Sequence, residues 1–361
     1  MPTRFEALRS LGALRLALAL VVVGGHTPQY PETWPDISGI AVSVFFFVSG
    51  FLMPLAFESN YHSRAFWDQT LRFWLNRFLK IYPWFWLSIS MPLALVIFRG
   101  GRNESEQHFF VPSVFFQNAL LLGLNQVEIW GHYVRYNNPA WTLDVELQYY
   151  LLVPALVWAY DRWPRFLTSL LVVAAVPSLY LIANPTGFIG LDRSLLAWSA
   201  LFFAGFLYFK ALSKGDPARR PNGVADHNVA CVLGVHIAML LLESTRIPAI
   251  VTGFFFSAAY LLKVEISGEK RKAGKFLGDL SYPVYIFHFF LIGPAQARST
   301  PFFEGAGLSG TALYFAILLV NVLVCLVFSS AVVVFGNPLI ERVRSRLRTH
   351  ERSHTLSNVR N

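Results

Sequence analysis

Charge is scarce in this chain. Only 14% of its 361 residues are Asp, Glu, Lys or Arg, while 55% are hydrophobic and the mean hydropathy is +0.46. That balance excludes a soluble globular domain. Cysteine is nearly missing: Cys231 and Cys325 both fall in apolar segments without metal-ligand spacing, so they read as packing residues. Internal repeats are lacking, as are paired Gly/Pro-broken spans in matching halves, the pattern of many transporters. The alternation over about ten residues that a membrane β-barrel needs is absent too. No small-x-small cleavage site closes the first apolar run, which reads as an uncleaved span despite Arg4 and Arg9 ahead of it. His62, His108, His132, His227, His236, His350 and His354 show no metal-ligand spacing, and no metal is expected.

What is present is a series of long apolar runs, which only helices can carry across a bilayer. The expected fold is an all-α polytopic membrane protein of about ten transmembrane helices, near 8–26, 37–57, 82–98, 142–160, 164–183, 194–212, 228–243, 246–262, 276–293 and 311–335. An eleventh candidate, about 109–124, carries Gln117 and Asn118 in its middle. Charge decides its status. With ten spans and both termini cytoplasmic, 23 of the 30 lysines and arginines fall inside and six outside, with Arg15 in a span. The 109–124 stretch is then a re-entrant or interfacial segment on the outer face. The net charge of +9 and pI near 9.6 therefore report topology and not nucleic-acid binding, which would require a soluble basic face. Residues 60–81 mix Phe66, Trp67, Phe73, Trp74 and Phe78 with basic residues, as a helix lying along the inner leaflet does. Residues 1–343 form the integral unit and 344–361 a basic cytoplasmic tail.

Arg15 and His26 stand out inside this apolar frame. An ionisable pair at membrane depth is costly and marks a working site by default. Eleven residues at ~100° each return to within ~20° of the starting face and rise ~16 Å, so the two line one wall at different depths. That spacing suits a long ligand better than a salt bridge.

Six segments in order carry a resemblance. LRSLGALRLALALVVVGGH holds an Arg-x10-His pair at Arg15 and His26, and VSVFFFVSGFLM spans 42–53. NRFLKIYP at 76–83 is a basic Tyr-Pro segment with Lys80 where a second arginine is usual. NPAWTLDVELQYYLLVP at 138–154 has Thr142 in place of a serine. LGDLSYPVYIFHF spans 277–289, and NPLIER at 337–342 is a looser match ending near Glu341. Together they resemble the membrane-bound acyltransferase-3 family, bacterial enzymes that O-acylate glycans and glycoconjugates.

The resemblance implies an acyltransferase that moves an acyl group, with acetyl expected, from cytosolic acyl-CoA to a hydroxyl of a carbohydrate or glycolipid, in the bacterial cytoplasmic (inner) membrane. Acyl-CoA is then a co-substrate, with no bound cofactor and no nucleic-acid partner. The alternating spans put His26 near the outer face, beside Asp144 and Glu146 in the first turns after an Asn138 cap and Pro139. Arg77, Lys80 and Tyr82 lie at the cytoplasmic end, where the anionic head of the donor would enter, with Arg15 deeper. A buried His26 would act as general base, its tautomer fixed by Glu146 ahead of Asp144. His288 joins the donor-binding set, while Tyr282 and Tyr285 read as packing residues and Ser49 as a donor to its own helix. The competing reading is a transporter or flippase of a lipid-linked glycan, with Arg15, His26 and Glu146 lining its path.

Overall fold

The computed structural model describes residues 12–60, 65–99, 110–121, 136–183, 194–212, 239, 248, 250 and 268–348. The expected spans at 228–243 and 246–262 lie outside these residues, apart from isolated positions, as does the tail 349–361. The described elements are α1 (Gly12–Gly25), α2 (Ile37–Asn60), α3 (Phe66–Arg99), α4 (Pro112–Leu120), α5 (Ala140–Arg162), α6 (Pro164–Ala183), α7 (Leu195–Leu212), α8 (Gly268–Gly305) and α9 (Gly310–Ala331). A π-helical turn (Val332–Gly336) then leads into α10 (Asn337–Arg348). No strand occurs among the described residues. Five helices there are long and apolar enough to cross a bilayer: α2, α3, α6, α8 and α9 with its continuation. The described residues are all-helical, and the molecule is a multi-pass membrane protein.

One expectation changes. Residues 66–81 do not form a separate interfacial helix: α3 is continuous over 34 residues and passes through Pro83 and Pro92. At 1.5 Å per residue it rises ~51 Å, well beyond a ~30 Å hydrocarbon core, so its ends reach past the membrane. Within a bundle, neighbouring helices satisfy the backbone groups that an internal proline frees. The 109–124 stretch contributes only nine helical residues, α4, too short to cross. Gln117 and Asn118 are buried against the protein, and Asn118 Oδ1 accepts from Tyr136 N at 3.0 Å.

The core gathers around α2, which packs on α7, α1 and α5, while α8 packs on α9 and α1. Close approach of α2 and α7 needs glycine: a Cβ on Gly50 would stand 2.3 Å from the Phe202 carbonyl oxygen. Contacts also fix direction. Gly12 of α1 abuts Gly274 and Gly278 of α8, and further along, the rings of His26 and His288 meet. On the other side of α8, Tyr282 donates to Ile81 O of α3 at 2.9 Å. Four residues on, Asn137 Nδ2 bridges Ser88 Oγ and Ile286 O at 2.9 and 3.0 Å. Hence α1, α3 and α8 run parallel. Arg15, Lys80 and Tyr282 fall near one level of the bundle, and His26, Ser88 and His288 near another.

Candidate active site

The site is built on those three parallel helices together with α2 and α5. Between α1, α2, α5 and α8 lies a partly open cavity. Its polar lining is Arg15 from α1, Thr142 and Glu146 from α5, and Ser281, Tyr282 and Tyr285 from α8. Val42, Phe45 and Phe46 of α2 and Leu143 of α5 complete the wall.

The carboxylate in this cavity is held from two sides. Ser49 and Tyr150 both donate short hydrogen bonds to Glu146 Oε1. Ser49 therefore does not bond its own helix as expected: its partner is 97 residues away. Arg15 and Arg77 act electrostatically on the same Tyr150, so one carboxylate and two guanidinium groups share a neighbourhood. Tyr285 is likewise more than packing. Its hydroxyl lies 2.7 Å from Thr142 Oγ1 and 3.3 Å from Pro139 O, joining α8 to the start of α5. That start falls one residue later than expected, with Pro139 and not Asn138 at the cap position.

At one end of the cavity helices are the two histidines. His26 ends α1, is exposed, and has its ring centroid 5.1 Å from that of His288. His26 Nδ1 lies 2.9 Å from Val22 O and 3.4 Å from Ser38 Oγ. A carbonyl can only accept, so Nδ1 carries the proton and Nε2 of the neutral ring carries the lone pair. His288 repeats the pattern: Nδ1 lies 2.5 Å from Tyr285 O, and Nε2 is buried without a hydrogen-bond partner among the described residues. The buried histidine is thus His288 and not His26, and the tautomer of each is set by a main-chain carbonyl. No hydrogen bond joins Glu146 or Asp144 to His26 among the described residues. Asp144 is fully buried and accepts from Gln148 Nε2 at 3.1 Å, while Gln148 Oε1 accepts from Leu195 N of α7. That places Asp144 in the α5–α7 contact.

Beside His26 the chain turns through Gln29, a non-glycine residue at φ +64°, into an aromatic group. Tyr30 and Trp34 pack against Tyr314, with centroids 5.7 Å apart in each case. Tyr314 in turn donates to Gly24 O at 3.2 Å, two residues before His26. Trp34 stays 39% exposed, so part of its ring is open to an incoming molecule. Burial and the Asp36 carboxylate hold the Tyr30 phenol above its ordinary range, so it is neutral.

At the other end is a basic group. The charges acting on Lys80 are three cations, Arg15, Arg77 and Arg344, and one anion, Asp279. Arg77 also lies 5.5 Å from the centre of the Phe73 ring. Tyr82 donates to Leu120 O at 2.5 Å and stacks on Phe78, securing α4 to α3. The structure therefore brings Arg15, Arg77, Lys80 and Glu146 into one region and His26 and His288 into another. Asp144 and Tyr82 lie within electrostatic reach of each other. Ser49, Thr142, Tyr150 and Arg344 were not among the expected site residues; Thr142 and Tyr150 lie one helical turn before and after Glu146, a spacing that could have found them.

A sequence model of the family described as Acyltransferase domain matches residues 8–330. Nodulation protein 10 of Rhizobium leguminosarum bv. viciae is 26% identical over 325 residues, covering 77% of this chain and 81% of that protein. Exopolysaccharide production protein ExoZ of Rhizobium meliloti is 25% identical over 320 residues, covering 86% and 92%. Peptidoglycan O-acetyltransferase OatA of Listeria monocytogenes is 20% identical over 323 residues, and the match spans 82% of this chain but only 50% of OatA. No solved structure matches the chain. With residues 8–330 matched, the chain belongs to the Acyltransferase domain family, the acyltransferase-3 family of its sequence motifs, and is a membrane enzyme that transfers acyl groups.

Proposed function

We propose that the protein O-acylates a carbohydrate or glycoconjugate, taking the acyl group, acetyl in the simplest case, from acyl-CoA on the cytosolic side of a bacterial inner membrane. One observation carries this reading: an accessible histidine and a basic group lie at opposite levels of the same parallel helices, with a polar cavity beside Arg15. A donor with a phosphate-rich head and a long flexible arm has that distribution of chemistry. Along α1 the two levels are ~16 Å apart.

In this scheme the phosphates rest near Arg77 and Lys80, the arm passes Arg15 and Glu146, and the thioester reaches His26. The acceptor hydroxyl approaches over Trp34 and Tyr30, whose rings can stack on the apolar face of a sugar. His26 Nε2 takes the hydroxyl proton as the oxygen attacks the thioester carbonyl. The C–S bond then breaks, and the departing thiolate takes that proton back from the imidazolium. The two main-chain carbonyls on His26 and His288 keep both rings in one tautomer, which is the task first assigned to Glu146. The relatives named for exopolysaccharide production and peptidoglycan O-acetylation support a glycan acceptor.

The test is transfer of label from radiolabelled acetyl-CoA by purified protein, with a glycan and lipid extract as acceptor pool. Wild type is expected to label a carbohydrate fraction, and His26→Ala to lower the rate by roughly 10²-fold or more, the usual weight of a general base. Undiminished transfer by folded His26→Ala would remove His26 from the chemistry.

A further inference from the structure

The last turn of α1 leads into His26, and its main-chain carbonyls are bonded one after another by side chains. Val22 O lies 2.9 Å from His26 Nδ1, Val23 O accepts from Thr27 Oγ1 at 2.9 Å, and Gly24 O accepts from the Tyr314 hydroxyl at 3.2 Å. The last carbonyls of a helix have little or no following turn to bond to, and here side chains take its place. These groups are withdrawn from water: Val22, Val23, Gly24 and Thr27 are buried, while His26 itself is exposed. The candidate base is thus an exposed ring standing on a buried, bonded stretch of backbone.

The furthest member of this arrangement comes from another helix. Asn321, the only amide side chain of α9, is fully buried and donates from Nδ2 to Thr27 Oγ1 at 3.1 Å. The direction of that bond follows from chemistry. Thr27 spends its single hydroxyl proton on Val23 O, so its oxygen can only accept from Asn321. The result is a one-way chain from Asn321 through Thr27 to Val23, in which each bond polarises the next. Asn321 Oδ1 is left buried without a hydrogen-bond partner among the described residues. The amide gains one hydrogen bond and gives up the hydration of an acceptor, so it adds little to stability, and an apolar side chain would avoid that cost. A role in holding the fold together does not account for it.

We propose that Asn321 is a positioning residue for His26. Through the Thr27 hydroxyl it fixes the last turn of α1, and so holds the Val22 carbonyl where it keeps the His26 proton on Nδ1 and leaves the Nε2 lone pair for the acceptor hydroxyl. The proposal rests on the reading of His26 as general base. The same helix carries Tyr314, whose ring meets Tyr30 and Trp34, so α9 sets the base in register with the aromatic surface beside it.

Two measurements on the full-length protein test this. The first is nitrogen-15 NMR of histidine-labelled protein at alkaline pH, where imidazole is neutral, with the His26 signals assigned by their loss in His26→Gln. Wild type is expected to show His26 as the Nδ1–H tautomer alone, and Asn321→Leu to show both tautomers. The second is transfer from acetyl-CoA to the glycan and lipid extract, alongside Tm. Asn321→Leu should lower kcat about tenfold through misplacement of the base, with KM for acetyl-CoA unchanged and Tm equal to or above that of wild type. Thr27→Val, which removes the hydroxyl but keeps the shape, should repeat both effects and serves if Asn321→Leu does not fold. Thr27→Ser, which keeps the hydroxyl, should retain the single tautomer and the rate. A single tautomer in Asn321→Leu would overturn the proposal. So would undiminished kcat, or a loss of kcat that comes with a lower Tm and that Thr27→Ser shares. Wild type without activity on acetyl-CoA would instead sink the reading of the reaction, and the tautomers would still decide the role of Asn321.

Discussion

Among the described residues, Lys80 and Lys210 both lie between packed helices, and their surroundings are opposite in sign. Lys210 of α7 is 3% exposed and sits between Glu58 of α2 and Asp161 of α5, the latter at 3.3 Å, with its Nζ 4.5 Å from the centre of the Tyr160 ring. Lys80 of α3 has three cations and one anion acting on it. The first group neutralises itself inside the fold and asks nothing of a ligand. Among the described residues the second has more cations than anions acting on it, which is where the proposed function seats an anionic donor. A membrane protein tolerates charge between helices where it is paired or where it works, and these two lysines divide along that line.

The comparison can be broken most sharply at Lys210. Replacing it with alanine strands Glu58, so the protein should lose about 3 kcal/mol of stability, the cost of removing one partner of a buried pair. Thermal unfolding in detergent would show a lower Tm, with KM for the donor unchanged in the protein that survives. Restoring neutrality with Lys210→Met combined with Glu58→Gln should recover most of that loss, since apolar replacements of buried pairs are often nearly neutral.

Lys80→Ala should behave the other way. Tm is expected to hold or rise, because a like-charge contact is relieved, while KM for acyl-CoA rises about tenfold, a loss of roughly 1.4 kcal/mol in donor binding. A smaller effect should follow from Lys80→Arg, which exchanges a point charge for a bidentate fork and is expected to lower donor KM a few-fold. The least is expected from Ser49→Ala, about 1 kcal/mol through the hydrogen bond to Glu146. It would be read as a modest drop in Tm with some loss of rate.

How much of this the sequence discloses depends on what each feature rests on. Apolar length places α2, α6 and α7 within three residues of their observed ends, because hydropathy and helix rise alone set those bounds. Arg15 and His26 are legible together because both sit on one helix with a fixed repeat. The ends of α3 and α8 are not, since prolines that read as stops are absorbed within the bundle. Partners across the bundle are also hidden. Nothing local joins Ser49 to Glu146, Asn76 to Arg344 or His26 to His288, and each pairing exists only through the packing of helices far apart in the chain. Lys210 shows the same limit from the other side: counted as a positive-inside residue, it is in fact a buried member of an ion group.

The most direct test of the account is equilibrium binding of CoA itself, by calorimetry, to purified wild type, Lys80→Ala and Lys210→Met with Glu58→Gln. The predicted result is an affinity about tenfold weaker for Lys80→Ala only, with the Lys210 and Glu58 double variant binding as wild type does. Equal affinities across all three proteins would contradict the proposed assignment of Lys80 to the donor and, with it, the division between the two lysines.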